Sequence, residues 1–390
     1  MPARDGLSVR GLGLRIPGVT EPGDLARQIS GSPASPYTVR RFDAPHTDLE
    51  PVDRRIYGPA EPRMPASVAV RGLRSLPHES LLALAAATEA EAEAAAAVRP
   101  REAGPGPAAV LWASSSAGLA EYATICVEAA VLDPGLSSPI IGPASAFNGP
   151  AATVSIRLGL NGPNETLTGG TTAGMSALVE AERFIADGDA GRALVGASAT
   201  VSRWSLPGVA GDLVPAEGAA CLALEPWRDG DSAIRLGRCR RVGLDRSRLV
   251  TEVREFVRSA PGPGPIPGSA VVVSTAGISA AGIFAARISA AGISAAGISA
   301  GGISAAGISA GGAELVEALS EDHPGPVWHL ERVLGDFGAA GGLMAVVCAV
   351  AYCAIASSPT TVLALAVEPS GNASIMEVSS WGAPTSSSGW

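Results

Sequence analysis

Two threonines, Thr171 and Thr172, stand where a short strand-like segment, ETLT, runs through the turn GGTTAG into an apolar-periodic helix, MSALVEAERFIADGD. A strand that turns through glycines into a helix holds one side chain out at the helix N-terminus, where many enzymes present a nucleophile. A threonine hydroxyl attacks only with a base in hydrogen-bond reach. The candidate bases are few: the chain has four histidines, His46, His78, His323 and His329. The first two precede the block around the turn and read as loop residues. There is no lysine, so the chain has no amine side chain for a Schiff base. The five cysteines, Cys126, Cys221, Cys239, Cys348 and Cys353, show no metal-binding spacing. Neither a metal site nor a cofactor motif is expected.

Composition narrows the class. A net charge of −9 and the lack of a basic patch argue against a nucleic-acid surface. Cys348 and Cys353 fall in GAAGGLMAVVCAVAYCAIA (338–356), a run long and apolar enough to resemble a membrane span. It is rich in Ala and Gly and has no aromatic or basic flank, which predicts a helix buried on all sides. The N-terminus shows no apolar signal region, so a cytoplasmic protein without membrane attachment is expected.

The elements that must position the turn alternate in type. LSVRGLGLR reads as a strand, 19–30 as a short helix, and 35–78 as a Pro- and Arg-rich connection. SLLALAAATEAEAEAAAAV (80–98) is a helix, AAVLWASSS (108–116) a strand, GLAEYATICVEAAVL (118–132) a helix, and 146–160 a helix entered at Asn148. RALVGASATV (192–201) follows as a strand. AEGAACLALEP and SAIRLGRCRRVGL come next, expected to pair like a hairpin. A strand at 269–275, the helix at 338–356 and two closing strands complete the chain. The alternation predicts a layered α/β fold with a mainly parallel core. Residues 276–310 are seven pentapeptides of the AGISA type, too few to stack into a β-helix and read as an expanded loop.

Taken in series, these segments resemble the β-ketoacyl synthases of fatty-acid and polyketide assembly along nearly the whole chain. VRGLGLRIPG is similar to the family's opening strand, and 142–201 to its central block. PAEGAACLALEP is similar to its GEGA-type hairpin, GAAGG to its C-terminal glycine turn, and SGNASI to its closing strand. The resemblance implies a thiolase-like αβαβα fold of two similar halves, divided at 1–227 and 228–390. In that family a cysteine in a TACSSG turn takes the acyl chain as a thioester, and two histidines promote decarboxylation and stabilise the oxyanion. Here the cysteine falls on Thr171. The first histidine should follow the strand ending near Thr275, where the pentapeptides begin. The second falls on Gly335, or on Asp336 with a shift of one, and His329 lies several residues too early.

A nucleophile turn without its nucleophile resembles the chain-length factors, the inactive partners of ketosynthases in type II polyketide synthases. Most carry glutamine at the cysteine position, from which Thr171 departs. The resemblance implies a heterodimer with a cysteine-bearing ketosynthase, served by an acyl carrier protein. It also implies that Leu119, Tyr122 and Cys126, spaced i, i+3, i+7, line the acyl tunnel. Two alternatives remain: a diverged ketosynthase or acyltransferase using Thr171 or a nearby cysteine, and a decayed copy.

Overall fold

The computed structural model describes residues 6–31, 37–66, 68, 72–96, 106–132, 135, 138–206, 213–228, 234–243, 251–252, 255–256, 270–275, 317, 319–320, 325–368 and 372–380. The pentapeptides 276–310, the expected place of the first family histidine, and His323 lie outside the described residues. In chain order come β1 (Leu7–Arg15), α1 (Pro22–Ser30), β2 (Tyr37–Phe42), β3 (Val52–Tyr57), α2 (His78–Ala96), β4 (Ala108–Ala113) and α3 (Leu119–Val131). Then follow α4 (Ile141–Ala144), α5 (Gly149–Leu158), β5 (Asn164–Leu167), α6 (Ala173–Asp187), β6 (Arg192–Ala199), β7 (Gly218–Pro226), β8 (Ile234–Gly243) and β9 (Ala270–Ser274). The chain closes with β10 (Val327–His329), α7 (Leu330–Val333), α8 (Gly341–Ile355), β11 (Thr360–Val367) and β12 (Asn372–Ser380).

Ten strands form one mixed sheet in the order β10-β9-β11-β12-β8-β1-β7-β6-β4-β5. Its two ends repeat one pattern. From β1 outward the pairings with β7, β6, β4 and β5 run antiparallel, antiparallel, parallel, parallel. From β8 outward the pairings with β12, β11, β9 and β10 run the same way. This is the thiolase-like duplication, and it corrects the expected mainly parallel core: the parallel strands sit toward the two outer ends, and the antiparallel ones meet in the middle.

Period-two alternation sends successive side chains to opposite faces of each strand. Ala109, Leu111 and Ala113 of β4 and Ala270 and Val272 of β9 face one inner core, filled by α6 and α8. Val110 and Trp112 face α2 and α5, while Val271 and Val273 pack toward Phe256 and Leu319. The result is the αβαβα layering. α8 is interior, as its composition predicts: the apolar stretch Gly338–Ile355 is long enough to cross a membrane, but 83% of it is buried in the protein.

Two sequence expectations need correction. The segment 35–78 contains the two-stranded ribbon β2–β3, in register from Tyr37↔Tyr57 to Phe42↔Val52. Its arginines hid it, because Arg40 turns inward onto the buried Glu217 carboxylate at 2.6 and 2.8 Å. β7 and β8 do not pair with each other: β1 lies between them, with Leu7 opposite both Pro226 and Leu236. From Leu12 on, α2 reaches the same edge of β1. The Leu12 and Leu14 amides donate to Glu93 and Glu89 at 2.6 and 2.9 Å. Only glycine allows that approach, since a Cβ on Gly11 or Gly13 would fall 2.0 or 1.8 Å from a helix carbonyl.

Candidate functional site

The turn 168–172 leaves the end of β5 and enters α6 through two glycines. Its position is set by two helix N-termini that meet there. The Gly342 amide of α8 donates to the Thr171 carbonyl at 3.0 Å, and a Cβ on Gly342 would lie 2.3 Å from that oxygen. A Cβ on Gly174 of α6 would lie 2.5 Å from the Leu343 nitrogen. The two buried helices therefore touch backbone to backbone, and Thr171 is fully buried between them.

Thr172 turns toward the other half. Its hydroxyl donates to Glu368 Oε1 at 2.5 Å, and its amide lies 3.4 Å from the same oxygen. Glu368 follows β11, and its Oε2 accepts from Asn372 Nδ2 at 3.3 Å. Sequence reading passed over Glu368; the available signal was one acidic residue closing the otherwise uncharged strand TTVLALAV.

Both positions that the resemblance aligns with the second family histidine are packed onto the segment 214–216. Gly335 has φ +80°, and a Cβ there would lie 2.7 Å from the Val214 carbonyl and 3.1 Å from both the Ala216 and Tyr57 Cβ atoms. Asp336 is buried and structural: Oδ1 accepts from the Gly338 amide at 2.7 Å. Its main chain bridges Val214 and Ala216 at 2.7 and 2.8 Å. His329 belongs to a different cluster at the ends of β9 and β10. Its Nε2 lies 2.8 Å from Thr275 Oγ1 and 3.0 Å from Glu331 Oε2, and Glu331 Oε1 accepts from Ser274 Oγ at 2.6 Å.

Four of the five cysteines are not activated. Burial pushes the thiols of Cys221 and Cys348 well up, that of Cys239 to about 11 and that of Cys353 to about 12. A nucleophilic thiol needs the opposite shift. Among the described residues no group of three or more His, Cys, Asp or Glu side chains could hold a metal ion.

The start of α3 is anchored by a buried carboxylate that sequence reading also missed. Glu79 of α2 accepts from Ser114 and Ser198 at 2.5 and 2.7 Å through Oε1, and from Ser116 and Thr200 at 2.8 and 3.0 Å through Oε2. The run SSS at 114–116 was its sequence signal. Burial, with Glu79 nearby, raises the Glu121 carboxyl in the first turn of α3. The buried face of α3 is Leu119, Ala123 and Val127. Of the three spaced residues, Leu119 therefore points into the core, Cys126 is half-buried, and Tyr122 is 43% exposed. Tyr122 joins further exposed apolar residues on or beside α3, α4 and α5: Val131, Leu132, Ile140, Phe147 and Ile156. Of these helices α5 packs on β5, which among the described residues has one strand neighbour, β4, and α4 packs on α3.

Comparison with known proteins agrees with this architecture. The sequence profile described as "Beta-ketoacyl synthase, N-terminal domain" matches residues 6–230. No curated protein sequence matches the chain. Among solved structures, the ishigamide ketosynthase/chain length factor is similar with a TM-score of 0.64 at 18% identity, covering 97% of this chain and 100% of that one. A type II polyketide synthase acyl-carrier protein in complex with its ketosynthase bound to the hexaketide, AntDE:AntF, gives 0.63 at 15% identity, with coverage of 97% and 100%. A β-ketoacyl synthase from Burkholderia phymatum STM815 gives 0.62 at 15%, again covering 97% and 100%. With its duplicated sheet, its paired buried helices and a profile match over more than half its length, this chain belongs to the β-ketoacyl synthase family.

Proposed function

We propose that this chain is a non-catalytic, ketosynthase-like partner subunit, a chain-length factor. It would pair with a cysteine-bearing ketosynthase in a cytoplasmic assembly and help shape the tunnel for an acyl chain delivered by an acyl carrier protein. The carrying observation is the backbone at residue 335, which leaves no room for a side chain at a position aligned with a family histidine, together with threonine in place of cysteine at the turn. A fold that keeps its paired helices and glycine turns without the reacting groups is suited to binding. The exposed apolar residues beside β5, with Tyr122 among them, support a large interface on that side, of the obligate class at roughly 2,000 Å² or more.

Co-expression with a cysteine-bearing ketosynthase and carrier protein, followed by purification and product mass spectrometry, tests this reading. Tyr122→Ala is expected to lengthen the products and Cys126→Trp to shorten them, with the partner's acylation rate unchanged. Failure to co-purify with any ketosynthase refutes the partner role, and unchanged products in both variants refute the tunnel role. A second reading, a diverged acyltransferase, draws on the Thr172–Glu368 contact at 2.5 Å. An acyl adduct formed from carrier-protein thioesters and lost on Thr171→Ala or Thr172→Ala would favour it.

A further inference from the structure

We propose that Glu368 bars acyl groups from the Thr171–Thr172 turn: the chain lays its own carboxylate where an incoming acyl group would have to sit. This deepens the non-catalytic reading and takes from it only the meaning of the turn. Both carboxylate oxygens are held in place. Oε1 takes the Thr172 hydroxyl at 2.5 Å, and Oε2 takes Asn372 Nδ2 at 3.3 Å. The Glu368 backbone is held as well, its amide donating to the Asn372 carbonyl at 2.8 Å. Thr172 occupies the N-cap position of α6, a helix of 15 residues, so a negative charge at this point is also favoured by the helix dipole.

Gly170 is fitted to the same contact. A Cβ there would lie 2.7 Å from Glu368 Oε1 and 2.8 Å from its carboxyl carbon, so only glycine lets the carboxylate lie down on the turn. Glu368 is half-buried while Thr171 is fully buried, and the carboxylate lies against both neighbours of Thr171, Gly170 and Thr172. Two effects follow. The side chain fills the approach to residue 171, and its charge repels an anionic group, such as the carboxylate of a carboxyacyl thioester. Loss of the cysteine is then one of two independent blocks at this site.

A thiol introduced by Thr171→Cys reports on the block. Its alkylation by neutral iodoacetamide and anionic iodoacetate is followed by peptide mapping with Glu368 intact, with Glu368→Gln, with Glu368→Ala and with Gly170→Ala. With Glu368 intact, labelling is slow, and iodoacetate is disfavoured further. Glu368→Gln keeps the bulk, so iodoacetamide labelling stays slow, but the iodoacetate/iodoacetamide rate ratio rises about tenfold with removal of the charge. Glu368→Ala and Gly170→Ala, the second by evicting the flexible end of Glu368, raise the iodoacetamide rate about tenfold or more by opening the approach. A carboxylate that only caps the helix would shift the charge ratio but leave the iodoacetamide rate unchanged in Glu368→Ala and Gly170→Ala, which overturns the steric block. Equal rates and ratios in every background, or a thiol inert in all of them, overturn the proposal. Because no partner is involved, such a failure is distinct from a failure to co-purify with a ketosynthase.

Discussion

A histidine placed at Gly335, where the family resemblance puts one, should cost this protein stability. At Gly335 the backbone has φ +80°, the left-handed region, which costs a residue with a Cβ roughly 1–2 kcal/mol. The Cβ would also lie 2.7 Å from the Val214 carbonyl, a backbone atom that itself accepts from the Asp336 amide at 2.7 Å. Forcing such a contact adds about 1–3 kcal/mol of overpacking. Gly335→His should therefore destabilise by about 2–5 kcal/mol, a large share of the roughly 5–15 kcal/mol typical of folded proteins. At about 2 °C per kcal/mol for a large chain, calorimetry should show the melting temperature fall by about 4–10 °C. Gly335→Ala should show most of this, since the strain lies at Cβ and not in the imidazole. The double variant Thr171→Cys/Gly335→His should still carry out no condensation. A Gly335→His protein that melts within about 1 °C of the parent would refute the claim that the backbone excludes a side chain here.

Two further outcomes follow from groups away from the turn. Arg40→Met leaves the buried Glu217 carboxylate without its two guanidinium contacts, which should cost about 3 kcal/mol in denaturant unfolding, with part recovered by adding Glu217→Gln. In timed alkylation of the native chain at pH 8, half-buried Cys126 should react first. Cys239, pushed to about 11 by burial, is thiolate in only about one molecule in a thousand at that pH and should lag far behind, its labelling rising as the pH is raised.

Elements whose pattern is set by local burial were legible in the sequence. The all-round apolar run of α8, the continuously apolar strands β4 and β6 and the turn before α6 lie where the sequence pattern places them. What escaped depends on distant partners. Arg40 looks solvated until Glu217 is known to lie beneath it, so β2 and β3 were hidden in a polar segment. The insertion of β1 between β7 and β8 comes from pairing across more than 200 residues, which no local signal carries. At the site, Thr171 and Gly335 are singled out by the family resemblance of the glycine turns beside them. Glu368 is not, because its importance rests on Thr172 from the other half of the chain. The i, i+3, i+7 spacing grouped Leu119, Tyr122 and Cys126, whereas burial in the folded chain follows i, i+4, i+8 through Ala123 and Val127.

The central place of β1 also imposes a timetable on synthesis. Leu7 is made more than 200 residues before its strand partners Pro226 and Leu236. At roughly 5–20 residues per second, the first strand would wait about 10–40 s before either sheet edge it joins exists. α2 emerges much sooner, and its Glu89 and Glu93 can already engage the Leu12 and Leu14 amides on one side. The two carboxylates then shield a nascent edge that would otherwise be open to pairing with other chains. Gly11 and Gly13, which let the helix come so close, would on this view matter to yield at the ribosome as much as to the finished fold.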